Sequence, residues 1–198
     1  MDNRLHGVRS WRMTAAIELH LRRFFREHDG IHFQTWPGPI GTRLPGFRVM
    51  VIPPGPRIGL WTYASIGCHA VRDGDHANEF VLLAPDASDA HVELMTMVGH
   101  YHASPKAGDR LGVGHTVPIG RAWLPGSSCK TLLVSTPYPF GPELENCVDP
   151  DGHVQVVWLL PITEQEHAYA KSNGLEALEQ KFDDAALEYW APNRPSVV

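Results

Sequence analysis

The sequence predicts a folded protein that combines helices with a β-sheet. Three observations indicate this: an amphipathic segment near the N-terminus, short apolar runs bounded by Gly or Pro, and an apolar strand followed at once by a helix start. A hydrophobic content of 43% and a charged content of 20% over 198 residues are typical of globular chains and lie far from the composition of disordered ones. We therefore expect one domain with an adequate apolar core.

The first predicted element is a helix over residues 11–27, with Ser10 as its N-cap and Gly30 as its stop. Residues at helical spacing should form its buried face: Ile17, Leu21, Phe24 and His28. Three arginines occupy intervening positions and are expected to lie on a solvated face: Arg22, Arg23 and Arg26.

Prolines punctuate residues 31–84, and the helical period disappears there. Short apolar runs predict strands over residues 47–52, 58–66 and 79–84. Ser88 and Asp89 then provide the N-cap of a second helix that extends to about Tyr101. Its apolar stripe is expected in the core and consists of Leu94, Val98 and Tyr101.

Residues 111–129 are rich in Gly and Pro and precede a strand predicted over residues 131–136. They form the longest region of the chain without a clear pattern, so two interpretations stay open. A long ordered loop is often functional, and an unrecognised hairpin is an equally good account.

An apolar strand and a helix start lie side by side in the C-terminal third. Residues 154–160 are almost continuously apolar and bounded by Gly and Pro, which predicts a strand buried on both faces at the centre of the sheet. Thr163 and Glu166 have the spacing of a capping box, so a helix should begin there.

Asn173 and Gly174 should end that helix, and a further helix should begin at once. Its apolar face comprises Leu175, Leu178, Phe182 and Ala186. Carboxylates cluster in the same segment: Glu176, Glu179, Asp183 and Asp184. Such acids usually form a solvated face, and this face could also dock a basic partner.

Charge is distributed unevenly along the chain. The net charge is -5, yet residues 1–48 carry eight Arg against four acids, whereas residues 143–190 carry eleven acids against two Lys. A nucleic-acid binder usually needs a clustered basic surface on a basic domain. We therefore expect no nucleic-acid partner, because two regions of opposite sign suit a protein partner better.

The three cysteines, Cys68, Cys129 and Cys147, are odd in number and lack a C-x-x-C pair, so neither a disulfide framework nor a zinc ribbon is indicated. The N-terminus lacks the apolar core of a signal peptide, and no apolar run reaches the length of a membrane span. The expectation is a cytoplasmic protein without a membrane partner.

The usual signatures of enzymes and metal sites are missing. No H-E-x-x-H pattern occurs among the twelve histidines. His100 and His102 fall in the predicted second helix, where residues two apart point in different directions. Ser65 supplies only half of a nucleophile elbow. We expect no catalytic residue, no metal and no cofactor.

A hydrolase is the competing hypothesis. It would use Cys129, paired with His115 or His153, or a histidine cluster around His115. A buried structural cysteine is the commoner case. A purely structural assembly domain is a third alternative, and the sequence leaves the oligomeric state open.

Eight short stretches stand in a recognisable order, namely W-T-Y-A-S-I-G from Trp61, N-E-F-V-L-L-A from Asn78, L-G-V-G-H-T-V from Leu111, W-L-P-G-S-S-C from Trp123, P-Y-P-F-G from Pro137, W-L-L-P-I-T-E-Q-E from Trp158, G-L-E-A-L-E from Gly174 and N-R-P-S-V-V from Asn193. In these stretches the chain resembles the suppressor-of-fused (SUFU) domain family over residues 58–198, as a compact bacterial-type member. Their order and spacing together make the resemblance specific.

The resemblance implies an α+β domain with a mixed sheet and flanking helices. Residues 1–30 would supply an N-terminal helix that is part of this domain, and residues 31–198 would form the SUFU-like domain. It also implies protein binding without catalysis. Animal members of the family are similar to adaptors that hold a transcription factor through an extended peptide, and compact bacterial members are similar to immunity proteins that neutralise a toxin.

The candidate partner-binding surface combines the loop between Gly112 and Cys129 with the acidic C-terminal helix. Aromatic anchors and polar loop groups are what interfaces tend to use, and for Trp123 a core position is an equally good account. The residues selected are His115, Trp123, Ser127, Ser128, Glu176, Glu179 and Asp183. The expected partner is another protein, either toxin-like or regulatory.

Overall fold

The computed structural model describes residues 3–73, 76–106, 110–150 and 152–198. Six helices lie in these ranges: α1 Asn3–Phe24, α2 Ile40–Arg43, α3 Asp89–His102, α4 Pro142–Glu145, α5 Glu164–Asn173 and α6 Leu175–Asp184. The strands in the same ranges are β1 His32–Gln34, β2 Arg48–Ile52, β3 Trp61–Ile66, β4 Arg72–Asp73, β5 His76–Ala84, β6 Thr116–Pro118, β7 Thr131–Ser135, β8 Asn146–Asp149 and β9 Gly152–Ile162.

In the described part of the chain, nine strands form one mixed sheet with the order β1-β2-β3-β5-β9-β7-β6, while β4 pairs with β5 and β8 pairs with β9. Strands β5 and β9 run parallel, with Val81 opposite Trp158, whereas β2, β3 and β5 are antiparallel neighbours. Strand β9 lies inside the sheet and is buried along almost its whole length, which confirms the predicted central strand. The α+β class with flanking helices is confirmed.

The described residues group into two compact units. The first unit contains residues 3–110 and 136–158, and the second contains residues 111–135 and 159–198. Strand β9 therefore contributes residues to both units. None of the described helices combines the length and the apolar character that crossing a bilayer requires.

Helix α1 belongs to the first unit and contacts β3, β8 and α4. It begins at Asn3, so Ser10 lies inside the helix and the predicted N-cap is wrong. The predicted apolar face is confirmed for Ile17, Leu21 and Phe24, which are buried. The helix ends at Phe24, so the predicted stop at Gly30 is wrong, and His28 is buried beyond the helix. Their neighbours Arg22, Arg23 and Arg26 are exposed, as the solvated-face interpretation requires.

Helix α3 also belongs to the first unit and packs on β2, β3 and β5. The Ser88 hydroxyl accepts a hydrogen bond from the Ala90 N–H at 3.2 Å, which confirms the predicted cap. Leu94 and Val98 are buried, but Tyr101 is 42% exposed, so its predicted place in the core is wrong. Its neighbour His102 is buried instead.

The second unit contains the loop without periodicity and the C-terminal helices. Within that loop, β6 pairs antiparallel with β7, with Val117 opposite Leu132, so the hairpin account is correct for these residues. The predicted capping box is present: Glu166 N–H donates to Thr163 Oγ1 at 3.2 Å, and Thr163 N–H donates to Glu166 Oε2 at 2.8 Å.

Helix α6 follows α5 directly across Gly174, whose φ of +91° favours glycine. Leu178 and Phe182 are buried along the predicted apolar face. Ala186 lies beyond the end of the helix with a φ of +45°, so its predicted place on that face is wrong.

Two buried histidines of α3 make stability depend on pH. His91 is 1% exposed and packs on the Tyr63 ring with centroids 5.0 Å apart, while His102 is 3% exposed and packs on the Phe80 ring at 5.1 Å. Burial lowers the pKa of His91 and of His102 to about 4. Both rings therefore stay neutral in the folded state at pH values where they are charged in the unfolded chain.

We expect the contribution of these two rings to the free energy of unfolding to level off above pH 6.5 and to fall between pH 6.5 and about 4, because only the unfolded state takes up the protons there. At about 1.4 kcal/mol per pH unit, each ring should cost about 2 kcal/mol at pH 5. Urea unfolding at pH 7 and pH 5 measures this loss. His91→Leu and His102→Leu should each reduce it, whereas His153→Leu at an exposed position should not; an unchanged loss in the first two variants would contradict the assignment.

Candidate functional site

The start of the irregular loop lies against α6 in the second unit. A methyl group placed on Gly114 would lie 4.0 Å from Leu175 Cδ2, at the first residue of that helix. Two residues later, Thr116 Oγ1 lies 3.1 Å from His167 Nε2, and this contact attaches Thr116 to α5. His115 lies between these two contacts and is exposed. The loop on either side of His115 therefore approaches Leu175 at the start of α6 and His167 of α5.

The acidic residues of α6 have different surroundings. Glu176 and Asp183 are exposed. The carboxylate of Glu179 is half-buried and accepts a hydrogen bond from Ser135 Oγ at 2.6 Å, which attaches α6 to the end of β7. Glu179 therefore has a packing role within the unit, whereas Glu176 and Asp183 lie at its surface.

The second half of the loop alternates between buried and exposed residues. Trp123 is in the core, which decides between the two alternatives that the sequence leaves for it. Ser127 is buried and its Oγ accepts a hydrogen bond from the Cys129 N–H at 3.1 Å. Ser128 is exposed. Of these selected loop residues, only Ser128 has its side chain on the surface.

A buried ion pair attaches the C-terminal segment to the capping box. Arg194 donates from Nη1 to Glu166 Oε1 and from Nη2 to Glu166 Oε2, each at 2.7 Å. Arg194 Nη2 also donates to the Pro161 carbonyl at 2.9 Å, and the Val197 N–H donates to Glu166 Oε1 at 3.2 Å. One carboxylate therefore joins the end of β9, the start of α5 and the C-terminal residues.

The ion pair keeps Glu166 charged although the residue is fully buried. Burial alone would raise the pKa of this carboxyl, but the hydrogen bonds from Arg194 and Thr163 outweigh burial and the pKa is lowered. The capping-box spacing gave Glu166 a helix-start role only. No local pattern predicts Arg194 as its partner, because the two residues lie far apart in the sequence.

The surroundings of Cys129 disfavour the hydrolase hypothesis. The thiol is buried, and burial raises its pKa, so it is protonated at neutral pH and a weak nucleophile. Its charged neighbours are Arg194 and Glu166. The His115 ring is 3.4 Å from the Gly112 N–H, and the His153 ring is 3.0 Å from Asn146 Oδ1, so each imidazole has another partner.

A buried carboxylate in the first unit gathers a serine and a histidine that the sequence did not connect. Glu79 accepts hydrogen bonds from the Ser65 hydroxyl, from His69 Nδ1 at 2.8 Å and from the backbone N–H groups of Gly67 at 2.7 Å and His69 at 3.1 Å. In a catalytic triad the histidine lies between the serine and the carboxylate. Here the carboxylate lies between the other two, so the cluster fixes the turn after β3 and does not activate Ser65.

Metal binding has no preformed centre in the part of the chain that the structure describes. There, no group of three or more His, Cys, Asp or Glu side chains is arranged to hold an ion. His100 and His102 lie on α3, where their rings point in different directions, as the helical prediction implied.

Comparison with known proteins places the fold. The family model of the Suppressor of fused protein (SUFU) matches residues 43–195. A SUFU homolog from Neisseria gonorrhoeae FA 1090 is 34% identical, with a TM-score of 0.80 over 93% of this chain and 96% of that chain. A chain in the crystal structure of the Sufu-Fu complex is 15% identical to this one, with a TM-score of 0.69 over 92% of this chain and 91% of that chain.

Drosophila Suppressor of Fused is 14% identical, with a TM-score of 0.60 over 91% of this chain and 50% of that chain. At this low identity, this structure and the Sufu-Fu complex show a shared fold alone. No curated protein matches the sequence significantly.

Loss of the Arg194 guanidinium should destabilise the protein strongly, because Glu166 would remain buried without its partner. We expect Arg194→Met to lower the free energy of unfolding by about 3–5 kcal/mol. Arg57→Met is the matched control, since Arg57 pairs with Glu143 on the surface and such pairs contribute about 1 kcal/mol or less. Denaturant unfolding measures the free energy of unfolding of both variants. An equal decrease in the two variants would contradict a larger contribution of the buried pair to stability. Adding Glu166→Gln to Arg194→Met should recover part of the loss.

Proposed function

Because this chain belongs to the suppressor of fused protein family, we propose that it is a protein-binding module without catalytic activity. One structure with the same fold is that of a Sufu-Fu complex, in which the Sufu protein has a protein partner. We extend that mode of action to this chain. Residues 1–30 and 31–198 would act together as one binding module.

The contact between the loop and α6 carries this proposal. We assign the exposed side chains of these two segments to one binding surface, which we call the loop–helix surface: Val113, His115, Glu176 and Asp183. Val113 is 41% exposed and offers an apolar contact, while the acids offer negative charge. Apolar contact flanked by charge is typical of protein interfaces. The partner that fits is a protein with a basic surface, since complementary charge speeds and orients association.

A finer form of the proposal is an immunity-like inhibitor that acts in the cytoplasm on a protein toxin. The acidic α6 and the net charge of -5 suit an inhibitor of a basic protein. The gene next to the one that encodes this chain is the natural source of such a toxin. Expression of the product of that neighbouring gene alone should slow cell growth. Co-expression of this chain should restore the growth rate.

Charge reversal on the loop–helix surface tests the binding face. Glu176→Lys with Asp183→Lys should weaken partner binding at least about tenfold, because like charges then face the basic partner. The matched control is Glu27→Lys with Asp29→Lys, which makes the same change at exposed acids of the first unit. Affinity purification from the native host, followed by titration calorimetry with the recovered partner, measures both variants.

The outcomes separate the coarse proposal from the fine one. Equal weakening by the two double variants would reject the loop–helix surface and leave only a general charge effect. A partner unrelated to any neighbouring toxin would reject the immunity-like role and retain protein binding. Turnover of a substrate by the purified chain would reject the non-catalytic assignment.

A further inference from the structure

Helix α1 has a second apolar face that points to solvent. Trp11 is 60% exposed and Leu19 is 49% exposed, whereas Met13, Ile17 and Leu21 of the same helix are buried. Trp11, Ala15 and Leu19 are spaced by four residues, so they lie on one side of the helix. Large aromatic side chains are rarely this exposed, and clustered exposed apolar residues mark interaction sites.

The same side of α1 borders a groove of about 400 Å³ in the first unit. Arg48 of β2 lines the groove opposite the helix and forms an ion pair with Glu18, so the charges of these two side chains compensate each other. The guanidinium of Arg48 also lies over the Phe33 ring, 4.6 Å from its centroid. Arg48 is therefore held in place by two contacts.

Arg22 supplies a positive charge that is not compensated. Its guanidinium lies 5.6 Å from the centroid of the same Phe33 ring, and it lines the groove one turn after Leu19. Within the residues that the structure describes, no carboxylate pairs with Arg22, nor with the exposed Arg12 and Arg23 of the same helix. The groove thus combines an apolar end at Trp11 with a positioned cation at Arg22.

We propose that this face of α1, comprising Trp11, Ala15, Leu19 and Arg22 and called the α1 face, binds a protein segment that presents apolar side chains followed by a carboxylate. An apolar side chain of that segment packs between Trp11 and Leu19. Its carboxylate accepts two hydrogen bonds from the Arg22 guanidinium, whose planar fork matches that geometry. Stacking on Phe33 holds the guanidinium before binding and reduces the entropy lost.

The apolar side chains favour this occupant over other anions. A nucleic-acid strand would leave the Trp11–Leu19 contact without an apolar partner. The interaction goes beyond the loop–helix surface, because it uses residues of the first unit and a partner of opposite charge. Failure of either proposal therefore leaves the other intact.

The test uses the full chain and a synthetic helical peptide about four turns long, with two leucines four residues apart and two glutamates one turn later. Fluorescence anisotropy of the labelled peptide measures binding. Trp11→Ala and Arg22→Glu should each weaken it about tenfold or more, since aromatic and arginine side chains dominate interface energetics. Glu176→Lys with Asp183→Lys should leave it unchanged.

Two substitutions control for general effects. Val148→Ser changes an apolar side chain that is 78% exposed, and Lys130→Glu reverses an exposed charge. Both should bind the peptide as the unaltered chain does. Two further peptides, with serine replacing leucine or lysine replacing glutamate, should bind about tenfold more weakly or not at all. Circular dichroism and the thermal midpoint verify that each variant is folded.

Four results with peptides or vesicles would overturn the proposal. These are no binding of the peptide at millimolar concentration, equal binding by all variants, equal binding of the lysine peptide, and a Trp11-dependent response to phosphatidylserine vesicles without a response to the peptide. A concentration-dependent dimer that Trp11→Ala abolishes, seen by sedimentation in the absence of peptide, would assign the α1 face to a second copy of the chain and would also overturn it.

Discussion

The carboxylate of Glu166 is the constraint on which the second unit depends. It accepts from Thr163 at the start of α5, from Arg194 and from Val197 in the C-terminal segment, and Arg194 in turn reaches the carbonyl of Pro161 in β9. A fully buried carboxylate is tolerated only when paired and hydrogen-bonded. By fixing the direction of α5, Glu166 also fixes where α6 begins, and α6 carries the acids of the loop–helix surface.

Local patterns predicted most elements of the fold. The capping box, the doubly buried strand and the Ser88 cap each depend on residues within a few positions of one another, so their physics is visible in the sequence. The partner of Glu166 was not predictable in this way. Arg194 meets it only because the chain folds back, and neither spacing nor composition encodes that meeting.

The buried face of α3 shows a subtler limit. The apolar pattern favoured Leu94, Val98 and Tyr101, of which only the first two are buried. The buried surface of the helix also includes a neighbouring face at helical spacing: His91, Met95, Val98 and His102. The two faces are related by a rotation about the axis of α3. His91 and His102 gave the second face a polar composition in the sequence. Neutral imidazole rings pack on aromatic rings, so an imidazole at helical spacing is compatible with a core. Histidine spacing was the signal that could have identified this face.

The candidate partner-binding residues stay a prediction, and the structure shows only where their side chains lie. The sequence joined the loop to the acidic helix, and the structure brings Gly114 onto Leu175. It could not assign Trp123 to the core, because burial of a tryptophan depends on the packing of distant segments. Charge asymmetry along the chain was visible from composition, but only the structure distinguishes the Arg48 charge, compensated by Glu18, from the uncompensated charge of Arg22.

Buried reactive groups and exposed charged groups have different roles in this chain. Glu79 takes hydrogen bonds from Ser65 and His69, and burial raises the pKa of Cys129, so these groups stabilise turns and cores. The exposed groups are a basic, aromatic face on α1 and an acidic face on α6. Members of one fold family differ in function through such surfaces, because a shared core fixes their shape and leaves their surface chemistry free. The two proposed recognition surfaces of this chain therefore carry opposite charge.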